Sequence, residues 1–259
     1  MARRAPSRLA LALCALALPL LLAACSEAKP ATPSPEVIET AESGSRPVTI
    51  QSTYSTTPEK GDEDKEPIVL SGRLFGSGPT GVILAHMRPA DQTAWFPYAT
   101  QLAQTGRYTV LTFDFRGYND STGDKQFDRV DTDLTAAYEY MRDALGFRKI
   151  FLVGASMGGT ASIVVGTRVP VAGVVSISSP GVFPPLDAVE AVKDLTVPKL
   201  FITSKDDVPQ EKSQEEFWAA APDPKEQEVY DGDAHGTDLF QSPHADEVSA
   251  RVTAFLDAH

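Results

Sequence analysis

The sequence has little cysteine, little histidine and a deficit of positive charge, and each shortage excludes something. Cys14 and Cys25 are the only cysteines in 259 residues. Cys14 lies inside an apolar N-terminal run, so a chain trimmed of that run holds one thiol, no internal disulfide and no cysteine nucleophile in its folded part. The four histidines (His86, His235, His244 and His259) show no zinc-like spacing with one another or with the cysteines, and no metal or other cofactor is expected. Lysine and arginine number 23 against 35 aspartates and glutamates, a net charge of -12. A field of that sign repels phosphate backbones, which argues against nucleic acid as a partner and favours small neutral or cationic substrates over polyanions. At 42% apolar and 22% charged residues the chain is neither disordered nor collagenous.

Nor does the N-terminal apolar run, Leu9 to Leu22, reach the roughly 20 residues of a membrane-spanning helix. Arg3, Arg4 and Arg8 precede or open it, and Leu22-Ala23-Ala24-Cys25 closes it. Basic, then apolar, then small is the order of a secretory leader over residues 1–24. The closing segment resembles the lipobox of bacterial lipoproteins. That resemblance implies cleavage before Cys25 and acyl chains such as palmitate on Cys25. The product would be exported and lipid-anchored to a membrane of the bacterial cell envelope; an ordinary leader cut at Ala24 is the alternative. Residues 25–46 carry Pro30, Pro33 and Pro35 with few large apolar groups, and read as a disordered tether. The folded domain is then 47–259, with a solvated polar loop from Thr56 to Glu66.

Within that domain, strand-like and helix-like segments alternate. Strands are expected at Val48–Ser52, Ile68–Phe75, Gly81–His86, Tyr108–Phe115, Lys149–Ala155, Ala172–Ser178, Lys199–Ser204 and Glu226–Tyr230. Runs such as Val82-Ile83-Leu84-Ala85 and Ile150-Phe151-Leu152-Val153 suit strands buried on both faces. Val130, Leu134, Tyr138 and Met141 share one helical face, as do Val248, Val252, Phe255 and Leu256. The pattern predicts an α/β fold, a doubly wound, mostly parallel sheet of about eight strands. The first two strands lack a helix between them and should form an antiparallel edge. Only residues 179–198 join two later strands, room for a helix over Leu186–Leu195 but no lid domain.

The segment Gly154-Ala155-Ser156-Met157-Gly158-Gly159 follows an apolar strand and precedes a helical stretch. This is the G-x-S-x-G nucleophile elbow in its required context. The glycines let neighbouring backbone approach a strained turn, which lifts the Ser156 hydroxyl and points the Met157 N–H at an oxyanion. Serine needs a base. His235, in the polar loop Asp231–Gly236 after the last expected strand, is the candidate; His244 reads as a surface residue, and His259 as a terminal one without order. The base needs an acid, and Asp207 is preferred over Asp206 in the loop after Lys199–Ser204. Gly76-Ser77-Gly78-Pro79-Thr80-Gly81 matches a dinucleotide fingerprint in letters only. The apolar strand follows it instead of preceding it, and it reads as a hairpin turn.

With these residues in place, the chain from Gly81 onward resembles the α/β-hydrolase superfamily, in particular small lidless serine hydrolases of the dienelactone-hydrolase-like group. Leu84-Ala85-His86-Met87 stands at that family's His-Gly motif, Phe113–Tyr118 at its turn after the fourth strand, and Gly236-Thr237-Asp238 after its histidine. The resemblance implies a Ser156–His235–Asp207 triad. It implies a second oxyanion donor from Met87 or Arg88, and leaves His86 a structural role. Met87 departs from the family's glycine, and Ser156 from the cysteine of the dienelactone enzymes themselves, which argues against their substrate. Trp95 and Phe183 are candidate walls of an acyl pocket, with packing against the sheet as the other reading of Trp95. The expectation is an exported serine hydrolase cleaving a small-molecule carboxylic ester through an acyl-enzyme. A peptidase, a thioesterase or a non-catalytic binding lipoprotein on the same fold remain as alternatives. The oligomeric state is not legible.

Overall fold

The computed structural model describes residues 44–52 and 67–259. The leader, Cys25, nearly all of the 25–46 tether and the Thr56–Glu66 loop lie outside the described residues. The elements run β1 (Ser45–Ser52), β2 (Ile68–Phe75), β3 (Thr80–Ala85), α1 (Phe96–Gln104), β4 (Tyr108–Phe113), α2 (Val130–Glu139), β5 (Ile150–Ala155), α3 (Met157–Gly166), β6 (Gly173–Ile177), β7 (Val182–Phe183), β8 (Leu186–Asp187), α4 (Ala188–Ala191), β9 (Lys199–Ser204), α5 (Gln210–Ala220), β10 (Lys225–Tyr230) and α6 (Ala245–Ala258).

Eight strands form one sheet in the order β1-β2-β4-β3-β5-β6-β9-β10. β1 pairs antiparallel with β2, and β2 antiparallel with β4; the remaining pairs are parallel. Every residue of β4, β5, β6 and β9 is buried, because helices cover both faces. On one face, Leu134, Met141, Ile163 and Val165 of the α2–α3 side pack on Ile83, Leu111 and Leu152. On the other, Leu102, Val252 and Phe255 pack on Val82, Val110 and Val153. The parallel strands all point their C-terminal ends to one edge, where this architecture exposes loops for chemistry.

Four expectations are corrected. The Gly76–Gly81 segment is not a hairpin turn, since β4 lies between β2 and β3. It is a crossover held to the start of β4 by the Gly78 N–H on the Tyr108 carbonyl (3.1 Å) and the Thr109 hydroxyl on the Gly78 carbonyl (2.7 Å). The segment expected as a helix over Leu186–Leu195 opens with β8, which pairs with β7 across Pro184-Pro185. Its helix shrinks to α4, capped by the Asp187 carboxylate accepting from the Glu190 N–H (2.9 Å), and a 3-10 turn over Val192–Asp194. The fold also begins earlier than residue 47: Ser45 and Arg46 pair with Phe75 and Leu74, and the Arg73 side chain donates to the Ser45 hydroxyl (2.9 Å). His259 is likewise not loose. Its ring packs on Phe255 (4.8 Å) and faces Glu226 (3.4 Å).

Beyond its pairing with β2, the end of β1 is tied to a buried ion pair. Arg116 donates to Asp133 from Nη2 (2.7 Å) and Nε (3.0 and 3.1 Å), and the Ser52 hydroxyl at the end of β1 adds a bond to Asp133 (2.8 Å). Both charged side chains are almost fully buried. The Arg116 N–H also donates to Asp133 (3.0 Å), so the carboxylate fixes the chain just after β4 as well.

Candidate functional site

The turn from β5 into α3 is tight. A side chain on Gly154 would strike the Gly158 carbonyl, and one on Gly158 would strike the Ala85 carbonyl at the end of β3. The sequence meets both contacts with glycine. Ser156 between them has φ 49° and ψ -116°, one of three non-glycine residues of positive φ among the described residues. Such a conformation costs on the order of 1–3 kcal/mol and persists only when the surroundings enforce it. Here they do: the Ser156 N–H is tied to the Ile177 carbonyl (2.8 Å), and its own carbonyl receives the Gly159 and Thr160 N–H groups (2.9 and 3.0 Å). All ten residues of α3 are buried, whereas Ser156 is partly exposed. The Met157 N–H is the first amide of α3 and has no partner within the helix, so it is available to an anion.

His235 and Asp207 meet across two loops. After β9 the chain turns back, with the Asp207 N–H on the Ser204 carbonyl (3.3 Å). After β10 the Asp231–His235 loop is fastened to this turn by the Asp206 N–H on the Gly232 carbonyl (2.9 Å) and the Ser204 hydroxyl on the Ala234 carbonyl (2.6 Å). His235 Nδ1 then lies 2.9 and 3.1 Å from the two oxygens of Asp207. Asp207 is buried and Asp206 exposed. A bond from Nδ1–H to the carboxylate leaves Nε2 unprotonated and able to accept a proton. Gly236, the next residue, has φ 58° and packs against Ala155 and Met87. A side chain there would stand 2.6 Å from the Met87 sulfur and 3.4 Å from the Ala155 methyl. The histidine loop is therefore seated directly beside the Ser156 turn.

The loop after β3 forms the third side. His86 is completely buried, and its ring sits edge-on to Phe115 (4.8 Å) and Tyr118 (4.7 Å). Its Nε2 accepts the Phe115 N–H (3.1 Å), so the proton is on Nδ1, which donates to the Met87 carbonyl (2.9 Å). Burial holds this imidazole below the usual histidine range. The bond pins the Met87–Arg88 peptide plane. The His86 carbonyl oxygen is turned toward α3, 2.7 Å from where a Gly158 side chain would begin. Across a trans peptide the Met87 N–H points the other way, away from α3.

Trp95 is fully buried, so it walls no open pocket. It packs edge-on to Phe240 (5.3 Å), which follows the His235 loop, and Tyr98 also reaches Phe240 (4.7 Å). Its place is beneath the histidine loop. Phe183 is partly exposed and meets Phe127 edge-on (6.0 Å), while the Arg88 guanidinium lies 5.0 Å over the same Phe127 ring. Phe127 was not singled out from the sequence. It lies in a polar stretch, and only the fold brings it between the β3 and β6 loops. Among the described residues, no group of three or more His, Cys, Asp or Glu side chains converges as a metal site.

Comparison with known proteins agrees with this architecture. Residues 82–210 match the family model described as the alpha/beta hydrolase fold. The esterase Pf2001 of Pyrococcus furiosus is similar at 21% identity and a TM-score of 0.64, over 83% of this chain and 90% of that one. A bromoperoxidase of Bacillus anthracis is similar at 18% identity and a TM-score of 0.65, over 82% and 99%. The carboxylesterase CesB (YbfK) of Bacillus subtilis is similar at 17% and 0.59, over 74% and 88%. No curated protein matches. At these identities the likeness shows the fold, and the chain has the α/β hydrolase fold.

Proposed function

We propose that this chain is a serine hydrolase that cleaves a carboxylic ester through an acyl-enzyme. The observation that carries the reading is the His235–Asp207 pair (2.9 Å) seated beside a serine held at φ 49°. Ser156 attacks the ester carbonyl while His235 Nε2 takes the hydroxyl proton. His235 then returns that proton to the leaving alcohol. Asp207 fixes the imidazole tautomer and stabilises its charged form. Water, deprotonated by His235, attacks the acyl-enzyme, and His235 passes that proton to the Ser156 oxygen as the acid leaves. The Met157 N–H and the Arg88 N–H hold the oxyanion. Arg88 is preferred over Met87 because the Met87 N–H points away from α3.

Several neighbours bear the names esterase or carboxylesterase, which supports an ester over a peptide as substrate. Among the described residues no large lid is inserted, in keeping with the small serine hydrolases of the dienelactone-hydrolase-like group. We further propose that residues 1–24 are a lipoprotein leader, that Cys25 carries the lipid, and that the hydrolase acts at a bacterial envelope membrane.

A fluorophosphonate probe tests the chemistry without choosing a substrate. Mass spectrometry is expected to find one adduct, on Ser156, that His235→Ala suppresses. A folded protein that takes no adduct would sink the hydrolase reading.

A further inference from the structure

Two exposed cations, Arg88 and Lys125, lie on the side of the site that the His86 loop forms. We propose that the ester cleaved here carries an anionic group, a carboxylate or a phosphate, and that Arg88 and Lys125 hold it. This rests on the hydrolase reading above and adds the class of substrate.

Arg88 is exposed and leaves the loop that His86 pins, one residue beyond the Met87 that touches Gly236. Its guanidinium lies over Phe127 (5.0 Å). Lys125 is also exposed, and its ammonium lies 3.8 Å over the ring of Tyr118, which packs on His86. The Arg88 charge also acts on the Tyr118 hydroxyl. Among the described residues, neither cation has a carboxylate within salt-bridge distance. Arg148, Lys149 and Lys205 share that state, so position and not pairing alone singles out Arg88 and Lys125. Of the nearby acids, Asp91 turns its carboxylate to the N–H and hydroxyl of Thr93 (2.8 and 2.5 Å), and Asp124 is exposed.

What sets these two cations apart is their place, since the first leaves the His86 loop and the second lies over a ring that packs on His86. The aromatic rings beneath them fix their direction without neutralising them. A guanidinium presents paired donors that suit carboxylate and phosphate oxygens, and an ammonium adds a point charge. Phe183, partly exposed and edge-on to the same Phe127, offers an apolar contact for the uncharged part of the substrate.

The test compares matched esters. One pair is 4-nitrophenyl butyrate and the 4-nitrophenyl monoester of glutaric acid, which places the anion on the acyl side. The other is a glycerol monobutyrate with and without a terminal phosphate, which places it on the alcohol side. We expect the charged member of one pair to have a kcat/KM about tenfold higher at low ionic strength, with the preference shrinking as salt screens it. Lys125→Gln and Arg88→Gln should each reduce that preference several-fold, with unchanged thermal unfolding. A charged ester that is no better than its neutral partner in either pair overturns the proposal, as does a preference that both variants leave intact. Failure of the hydrolase reading looks different: none of the four esters turns over and Ser156 takes no probe.

Discussion

Asp207 offers both carboxylate oxygens to one nitrogen of His235, at 2.9 and 3.1 Å, while its neighbour Asp206 faces solvent. The two acids are adjacent in the chain, so substitution separates them cleanly. Asp207→Asn should lower kcat on an activated ester by roughly 10³–10⁴, because the amide no longer favours the productive tautomer. Asp206→Asn should stay within about twofold, as for most exposed side chains. A larger loss in Asp206→Asn would reassign the acid.

Ser156 holds a conformation that glycine adopts freely. Ser156→Gly should therefore raise the unfolding free energy by about 1 kcal/mol while abolishing probe labelling. Gly154→Ala should do the opposite. Its methyl meets the backbone carbonyl of Gly158, so a cost of about 3 kcal/mol or more is expected. Chemical denaturation of the three proteins checks both signs.

Removing Asp133 should be among the most damaging changes remote from Ser156. Asp133→Ala leaves the buried Arg116 charge without its partner, a loss of about 3–5 kcal/mol. Ser52→Ala removes the bond to Asp133 and the longer one accepted from Arg116, and should cost about 1–2 kcal/mol. A double-mutant cycle in urea should show that the two effects are not additive, since both act on the same carboxylate.

Stability should rise and then fall on the alkaline side. Burial pushes the Lys199 ammonium down to about 8, although its proton is also held by the Pro222 carbonyl (2.6 Å). Between about pH 8 and 10 the unfolded chain keeps that proton and the folded one releases it, so stability increases with pH. Burial pushes the Tyr230 phenol up to about 12, and raises Tyr98 and Tyr108 as well. Above about pH 10 the unfolded chain ionises these phenols first, and stability is lost. Urea midpoints at pH 7, 9.5 and 11 should trace this maximum. Lys199→Met should remove the rising limb and leave the falling one.

The sheet was legible where burial on both faces forces a continuous apolar run. Val82–Ala85 and Ile150–Val153 announce central strands because no polar side chain fits there. The Ser156 turn was legible because two backbone contacts demand glycine on either side of it. Strand order was not. Nothing local in Gly76–Gly81 says that β4 will insert between the strands it joins. The segment 186–195 has helical letters, but its first residues are drawn into pairing with Val182-Phe183. Trp95 shows the same limit. An aromatic residue near a loop reads equally as pocket wall or as packing, and Phe240, 145 positions away, decides which. The pinning of the Met87–Arg88 peptide by His86 depends on the Phe115 N–H, a contact that spacing alone does not reveal.

The His235 loop is seated on the last strand of the sheet and underpinned by Phe240 and the helix that follows. During synthesis, Ser156 leaves the ribosome 79 residues before His235 does. Under the proposed chemistry, a nascent chain carries its nucleophile for that whole interval without a base to activate it. Hydrolytic power then arrives in one step, when β10 docks, and a chain interrupted before that point is inert toward the esters around it.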